Sequence, residues 1–484
     1  MLEVNDNIKT IKHEVLYEVA KLAFEGTLQE EKDDLPMKLI PGPQANFRCC
    51  IYKEREIIRQ RIRLAEGKSP SANKDNKNIV QVINSACEGC PIARYVVTDN
   101  CQKCMSKKCQ QACNFGAISM TKDRAYIDPA KCKECGKCSQ ACPYNAIADL
   151  MRPCKRSCPV NAISMDENRI VKIDEEKCIS CGSCIKDCPF GAISDRSFIV
   201  DVINLMHQGK EVYAIVAPAI EGQFGPNASI GKLTNALKDL GFAGLYEASI
   251  GADLVADSES KEWAEAYKEG KKMTTSCCPA FVNMIKKHYP TLVDNISTTV
   301  SPMTATAKLV KEIHKDAIAV FIGPCIAKKG EVLDTVSLNG ADYALTFDEL
   351  YAMLEAKDID IDSYDNDVQQ GSIYGKRFAT SGGVTAAVVE AFKENQEEIA
   401  PKVHTCSGGE ECKKALLLLK AGRLPEDFIE GMVCSGGCFN GPGSILTGKV
   451  AETNRKKLLD AADDRNITDI YKNYDCETLH LHNK

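Results

Sequence analysis

The sequence predicts a mixed α+β and α/β multidomain protein in which paired cysteine-rich modules precede a larger α/β region. Three observations predict it. The chain has 484 residues, room for about three domains at ~150 residues each. It carries 26 cysteines, and sixteen of them fall between residues 85 and 195 in a repeated pattern. From about residue 196 apolar strand segments alternate with helical stretches, the pattern of sheets covered by helices.

Residues 1–84 read as a helical region ending in a linker. Apolar residues recur at helical spacing over 8–24, and 51–65 forms a charged helix. The break Ile40-Pro-Gly-Pro separates the two helices, and the Ser/Asn/Lys-rich stretch 69–78 reads as the linker. Met1 to Lys12 has no apolar signal core and no twin-arginine pattern, and no apolar run reaches ~18 residues. A cytoplasmic protein without a membrane partner is therefore expected. The formal charge of −6 argues against nucleic acid or an anionic membrane as partner. The lysine pairs Lys271–Lys272 and Lys286–Lys287 read as solvated surface, whereas Lys328–Lys329 stands beside a cysteine motif. In a long cytosolic chain this many cysteines means metal or redox chemistry, not disulfides.

The sixteen-cysteine region is an internal repeat of four half-modules. Each cysteine run is followed by a Gly/Asn-Ala-Ile tail, at Gly116, Asn145, Asn161 and Gly191. The runs Cys132-x2-Cys135-x2-Cys138-x3-Cys142-Pro and Cys178-x2-Cys181-x2-Cys184-x3-Cys188-Pro match the bacterial ferredoxin pattern. There, three close cysteines hold one cubane and the cysteine before proline reaches the other. The remaining halves are irregular: Cys101-x2-Cys104-x4-Cys109-x3-Cys113, and Cys154-x3-Cys158, which lacks its first pair. Crossing the fourth cysteines gives four sets. The first is Cys101, Cys104, Cys109 and Cys142, and the second is Cys132, Cys135, Cys138 and Cys113. The third is Cys178, Cys181, Cys184 and Cys158. The last combines Cys154 and Cys188 with the upstream pair Cys87 and Cys90. Zinc at Cys87-x2-Cys90 is the competing reading. The expected boundaries are 85–147 for a first ferredoxin-like module, with Cys87 and Cys90 serving the second, 148–195 for that second module, and 196–484 for the α/β domain.

Three separated segments of the last region carry cysteines in a shared style. They are Thr275-Ser-Cys-Cys-Pro-Ala-Phe281, Ile322-Gly-Pro-Cys-Ile-Ala-Lys-Lys-Gly-Glu331 and Gly431-Met-Val-Cys-Ser-Gly-Gly-Cys-Phe-Asn-Gly-Pro-Gly443. One cysteine from each of the first two and two from the third would hold a further cubane, since cubane irons need soft thiolate ligands. The glycines around Cys434 and Cys438 suit close approach of backbone to a bulky group.

These segments resemble the three signatures of the FeFe (iron-only) hydrogenases, and the spellings are most similar to the branch called group B. The resemblance covers about residues 85–484. It implies ferredoxin-like double 4Fe–4S modules followed by a two-lobed α/β catalytic domain. It also implies an H-cluster, a cubane sharing one cysteine sulfur with a two-iron site that bears CO, cyanide and azadithiolate. Carried over by residue, Cys278, Cys325, Cys434 and Cys438 ligate the cubane, with Cys438 bridging. Cys277 is the proton-relay thiol, a group whose pKa is tunable towards neutrality. Lys328 donates to a cyanide, Glu331 orients that lysine, Met432 packs near the two-iron site, and Pro218 and Ala219 match a segment at the other cyanide. Glu259 and Glu262, i and i+3 on one helix face, match the pathway glutamates, and Ser301 is matched to the pathway serine. Where the family has an arginine next on that path, Ala266 falls here.

The resemblance implies reversible 2H+ + 2e− ⇌ H2, a ferredoxin-like electron carrier as partner, and dedicated maturases. A sensor using the same cluster, and an assembly factor lacking the two-iron site, are the alternatives. Departures cluster around the two-iron site: Gly323 replaces a methionine, Ala280-Phe281 stands for Gly-Trp, Ala219 replaces a serine, and Pro442 interrupts a triple glycine. Cys49, Cys50 and Cys476 have no partners at metal spacing. Cys406 and Cys412 are read as structural, with a redox pair near the site as the alternative, and His404 as surface or packing.

Overall fold

The computed structural model describes residues 7–71, 76–91, 93–365, 368–396, 399, 401–462, 465–473 and 479–483. Cys476, the first residues of the chain and the middle of the expected linker lie outside them. No described helix is long and apolar enough to cross a membrane.

The N-terminal periodicity becomes the helices Asn7–Glu25 and Ile51–Ala65. Their apolar faces join the main core: Val15, Leu16 and Val19 pack with Ile57, Ile58 and the buried face of the helix Phe347–Ala356. The Pro/Gly break between them is held by Glu54, whose buried carboxylate accepts N–H bonds from Asn46, Phe47 and Arg48. The helical region is thus part of the body of the protein.

Each ferredoxin-like module is built on short antiparallel pairs. In the first, Tyr95–Val97 pairs with Ile147–Asp149 and Ile118–Met120 with Ala125–Ile127. In the second, Ile163–Met165 pairs with Val171–Ile173 and Val80–Val82 with Ile193–Asp195. The last pairing corrects the expected boundary at 84, because Val80–Val82 and the Cys87 turn belong to the second module and the first module is inserted within it. The tails explain themselves: Gly116, Asn145, Asn161 and Gly191 all sit at positive φ, between 50° and 59°, where only Gly and Asn go cheaply. The following Ala and Ile are buried.

The large domain has two parallel sheets. One runs in the order Gly244–Glu247, Val212–Val216, Ile318–Ile322, Tyr343–Leu345, and the other Met273–Thr274, Phe428–Met432, Val403–Ser407. Val212–Val216 and Phe428–Met432 are buried at every residue, as expected of parallel strands covered on both faces. The helix Ala248–Lys268 packs against Pro302–Ile313 and Gly383–Glu394. Ala217–Ala219, Gly323–Cys325, Cys277–Cys278 and Cys434 all follow carboxyl ends of strands. Open α/β sheets place their ligands there.

The three regions are tied by charge. Lys329, fully buried, lies 2.6 Å from Asp195 at the end of the second module and 2.7 Å from Glu349. Lys12 of the first helix reaches Asp195 at 3.3 Å and Asp348 at 3.5 Å. Burial alone would push the Asp195 carboxyl up, but Lys12 and Lys329 pull it well below the usual carboxylate range. The lysine pairs expected at the surface also make ties: exposed Lys287 donates to the Glu175 and Cys178 carbonyls, and Lys272 to those of Leu424 and Glu426. Removing one partner of a buried pair costs about 3–5 kcal/mol, because the other charge is left unpaired. Lys329→Met is therefore expected to lower stability by about that amount in anaerobic urea unfolding, and a variant as stable as the parent would show that the tie contributes nothing.

Candidate metal centre and proton relay

Within the two modules the cysteines gather into groups of near neighbours. Burial pushes the Cys154 thiol up to about 11, with Cys188, Cys90 and Cys87 its next influences. That is the set completed by the upstream pair. Cys109 is acted on by Cys142, Cys101 and Cys104, and Cys138 by Cys132 and Cys113. Cys181 and Cys184 are acted on by Cys178 and Cys158. Among the described residues no three His, Cys, Asp or Glu side chains close on a single metal ion. Ligands spread over separate irons of one cubane stand farther apart than that.

The repeat has a further local purpose. The Ala of each tail donates its N–H to the sulfur four residues earlier: Ala117 to Cys113, Ala146 to Cys142, Ala162 to Cys158 and Ala192 to Cys188, at 3.3–3.4 Å. Val171 N–H likewise reaches Cys87. Such bonds favour thiolate and tune cluster potentials. All-thiol donor sets, burial and N–H···S bonds fit iron–sulfur clusters.

In the large domain the three cysteine segments converge on a cavity of about 80 Å3 with an almost wholly apolar wall. Cys278, Cys325, Cys434 and Cys438 line it together with Cys277, Lys328, Met432, Pro218 and Ala219. Every residue assigned to this centre by resemblance, apart from Glu331, thus meets in one place. Burial pushes Cys325 up to about 12, with Cys278 next. Cys434 is acted on by Cys325, Cys438 and Cys278, and also by Cys181 of the second module. Buried thiols raised this far ionise only beside compensating positive charge, which iron supplies. The donor set therefore fits a cubane, and the small apolar chamber with a single ammonium fits a compact group bearing anionic ligands.

That ammonium is Lys328. Its Nζ lies 2.7 Å from Glu331 Oε2 and donates to Ser301 Oγ at 2.8 Å. Burial works against the charge, but Glu331, Cys325 and Cys277 hold the lysine above its ordinary range. Ser301 also donates to Glu331, so it belongs to the lysine's support and not to the glutamate route. Its sequence context has a plain cause: Ser301-Pro302 caps the helix Pro302–Ile313, with Ser301 accepting the Thr304 N–H.

The serine between the glutamates is Ser297. Its hydroxyl donates to Glu262 Oε2 at 2.7 Å, and it is near enough to act on the Glu259 carboxyl. Glu259 is fully buried, and its Oε1 accepts from the Ser276 N–H and hydroxyl, both at 3.1 Å. Burial pushes this carboxyl up to about 7 against those bonds. Glu259 is the charged neighbour that, after burial, raises the Cys277 thiol most. Cys277, Glu259, Ser297 and Glu262 are therefore neighbours in succession, with the cavity-lining Cys277 at one end. The run Ser297-Thr-Thr299, three hydroxyls in succession, was the available signal for Ser297.

The departures from the family spelling are repacked. A side chain at Gly323 would meet the Phe321 ring at 2.6 Å and Ala217 at 2.9 Å, so Phe321 fills that part of the wall. Phe281 lies against Gly431, where a Cβ would meet its ring at 2.3 Å, and Pro442 covers Gly182 beside the second module's cysteines. A side chain at Gly437, whose φ is 105°, would meet the Ala379 carbonyl at 2.5 Å, so polypeptide is what crowds it. Cys406 and Cys412 are free, fully buried, close enough to act on each other, and packed in one core with Cys278. Cys49 and Cys50 are exposed. His404 is half-exposed, 3.5 Å from Glu426.

Comparison with known proteins agrees with this geometry. Residues 210–442 match the family described as "Iron only hydrogenase large subunit, C-terminal domain". Residues 152–192 match a 4Fe-4S dicluster domain and 125–148 a 4Fe-4S binding domain. The chain is 32% identical over 382 residues to the periplasmic Fe hydrogenase large subunit of Nitratidesulfovibrio vulgaris, covering 67% of this chain and 87% of that protein. It is 28% identical to iron hydrogenase 1 of Clostridium pasteurianum, over 66% of this chain and 64% of that one. A probable cytosolic Fe-S cluster assembly factor of Brugia malayi is 25% identical, over 46% and 59%.

The raised Glu259 carboxyl has a direct readout. A carboxyl band lost with a midpoint near pH 7 is expected in infrared pH titration of the protein, absent in Glu259→Gln. A titration confined to the ordinary carboxylate range near pH 4–5 would show that Glu259 is solvated.

Proposed function

The chain belongs to the iron-only hydrogenase large-subunit family, and we propose that it interconverts protons, electrons and H2 at an H-cluster served by four accessory 4Fe–4S clusters. One observation carries this reading: four ligand thiols, a relay thiol and a buried ammonium from separated segments meet in one apolar chamber. Cys278, Cys325, Cys434 and Cys438 would hold the cubane, with Cys438 shared with the two-iron site. When bound, the H-cluster supplies the redox iron at which protons and electrons combine.

The chain's own residues do the rest. Lys328, oriented by Glu331 and Ser301, donates to an anionic ligand, while Met432, Pro218 and Ala219 exclude water. Protons pass between Glu262 Oε2, Ser297 Oγ, the Glu259 carboxyl and Cys277 Sγ. A carboxyl with a pKa near 7 can both take and give a proton at neutral pH. Electrons follow the thiol sets: Cys434 neighbours Cys181, and Cys184 neighbours Cys154. The first module exposes Phe115 and Tyr144 and also Lys103, Lys107, Lys108 and Lys133, side chains suited to meeting an acidic ferredoxin-like carrier. Assembly of the two-iron site by dedicated maturases is part of this proposal.

Infrared spectra of maturase-loaded protein, paired with dye-driven H2 evolution, test it. CO and cyanide bands with turnover are expected, and Cys277→Ala is expected to keep the bands and lose turnover by about 10²-fold or more. Bands without turnover would indicate a sensor. Their absence after maturation would indicate an assembly factor, as the Brugia relative is named. Replacing Cys87 and Cys90 together by Ser is expected to remove about four irons per chain, one cubane. Unchanged iron would sink the fourth accessory cluster.

A further inference from the structure

The relay line does not end at Glu262. Beyond it the helix Ala248–Lys268 has Ala266 on the outer turn, which bears no proton-exchanging group. A different segment fills that role. Thr299 donates to Glu262 Oε2 at 3.1 Å, and Ser258 Oγ lies 2.9 Å from Thr299 Oγ1. His482 Nε2 lies 3.4 Å from Ser258 Oγ, and its Nδ1 lies 2.9 Å from Thr298 Oγ1. Ser258 and Thr299 are buried, whereas His482 is exposed. Among the described residues Lys308 of the helix Pro302–Ile313 binds the His480 carbonyl, two residues from His482.

His482 is held there by backbone. Thr299 and His482 form an antiparallel bridge, flanked by Val300 N–H to the Leu481 carbonyl at 2.7 Å and Asn483 N–H to the Thr298 carbonyl at 2.8 Å. The end of the chain is thus laid as a strand over the outer face of the hydroxyl cluster. Its histidine is the one member that is both at the solvent and bonded to the buried hydroxyls.

We propose that His482 is the solvent port of the proton route, linked to Glu262 through Ser258 and Thr299. The proposal rests on the hydrogenase reading above. Inward, imidazolium Nε2–H gives its proton to Ser258 Oγ. The Ser258 hydroxyl proton passes to Thr299 Oγ1, and the Thr299 hydroxyl proton to Glu262 Oε2. The neutral imidazole regains a proton from water. No electron moves, one proton enters and one arrives, and the reverse sequence serves H2 oxidation. Histidine is the side chain that exchanges protons with water near neutral pH, and its role here is to deliver protons through other groups, not to touch the reacting atoms.

The test uses the full, maturase-loaded chain. His482→Ala is expected to keep the infrared CO and cyanide bands and lower H2 evolution at least about tenfold. His482→Gln, which keeps hydrogen-bonding capacity without proton exchange, is expected to fall equally. Imidazole added to the buffer should restore His482→Ala. It should not restore Ser258→Ala, in which the link inward is cut with His482 in place. Full turnover in either His482 variant overturns the proposal, and so does imidazole rescue of Ser258→Ala. A wild-type protein without bands or without turnover overturns the hydrogenase reading, and this inference with it, whereas an active wild type matched by His482→Ala overturns the inference alone.

Discussion

Burying a thiol in apolar surroundings is the constraint on which the rest of this structure depends. Desolvation drives Cys154, Cys181 and Cys325 up to about 11, 11 and 12, and neighbouring thiols push the same way, so each ionises only beside a cationic group. A group carrying several positive charges meets that requirement for several thiols at once, which suits cysteines distant in sequence being gathered into sets. The same requirement explains why each tail alanine aims its N–H at a sulfur, and why the large domain gathers its cysteine loops at the carboxyl ends of two sheets.

The same low dielectric governs the charges. Lys329 is tolerable at full burial only between Asp195 and Glu349, and Lys12 adds the N-terminal helix to that tie. Lys328, one residue earlier, points to the cavity and is kept cationic by Glu331. Adjacent lysines on one helix therefore do different work: one locks the modules to the large domain, the other faces the candidate centre. In the same way burial, helped by Glu262 and opposed by the Ser276 bonds, places the Glu259 carboxyl near neutrality, where a relay group is most effective.

Residues around the cavity that depart from the family spelling are balanced by neighbours. Phe321 occupies the space beside Gly323, Phe281 fits over Gly431, and Pro442 packs on Gly182. Close packing makes such changes compensate in pairs, so the chamber keeps its apolar wall while its shape changes.

The cysteine spacing indicated which thiols come together, Cys87 and Cys90 with Cys154 and Cys188 among them, because cysteines of ferredoxin-like modules recur at short fixed intervals. Apolar periodicity determined the main strands and helices, and the glycine and asparagine tails their turns. Other features were decided by tertiary structure, because they depend on which backbone lies across which. The strand Val80–Val82 was hidden in a region read as helix and linker, and its partner lies more than a hundred residues away. Ser301 looked like a relay serine because hydroxyl chemistry is the same wherever it occurs. The fold makes it a helix cap beside Lys328 and puts Ser297 between the glutamates. His482 carried no signal at all, since nothing in a terminal Leu-His-Leu-His sequence announces a bridge to Thr299. Spacing along a chain is legible wherever chemistry demands short intervals; contacts between remote segments are set by packing and burial, which only the folded chain expresses.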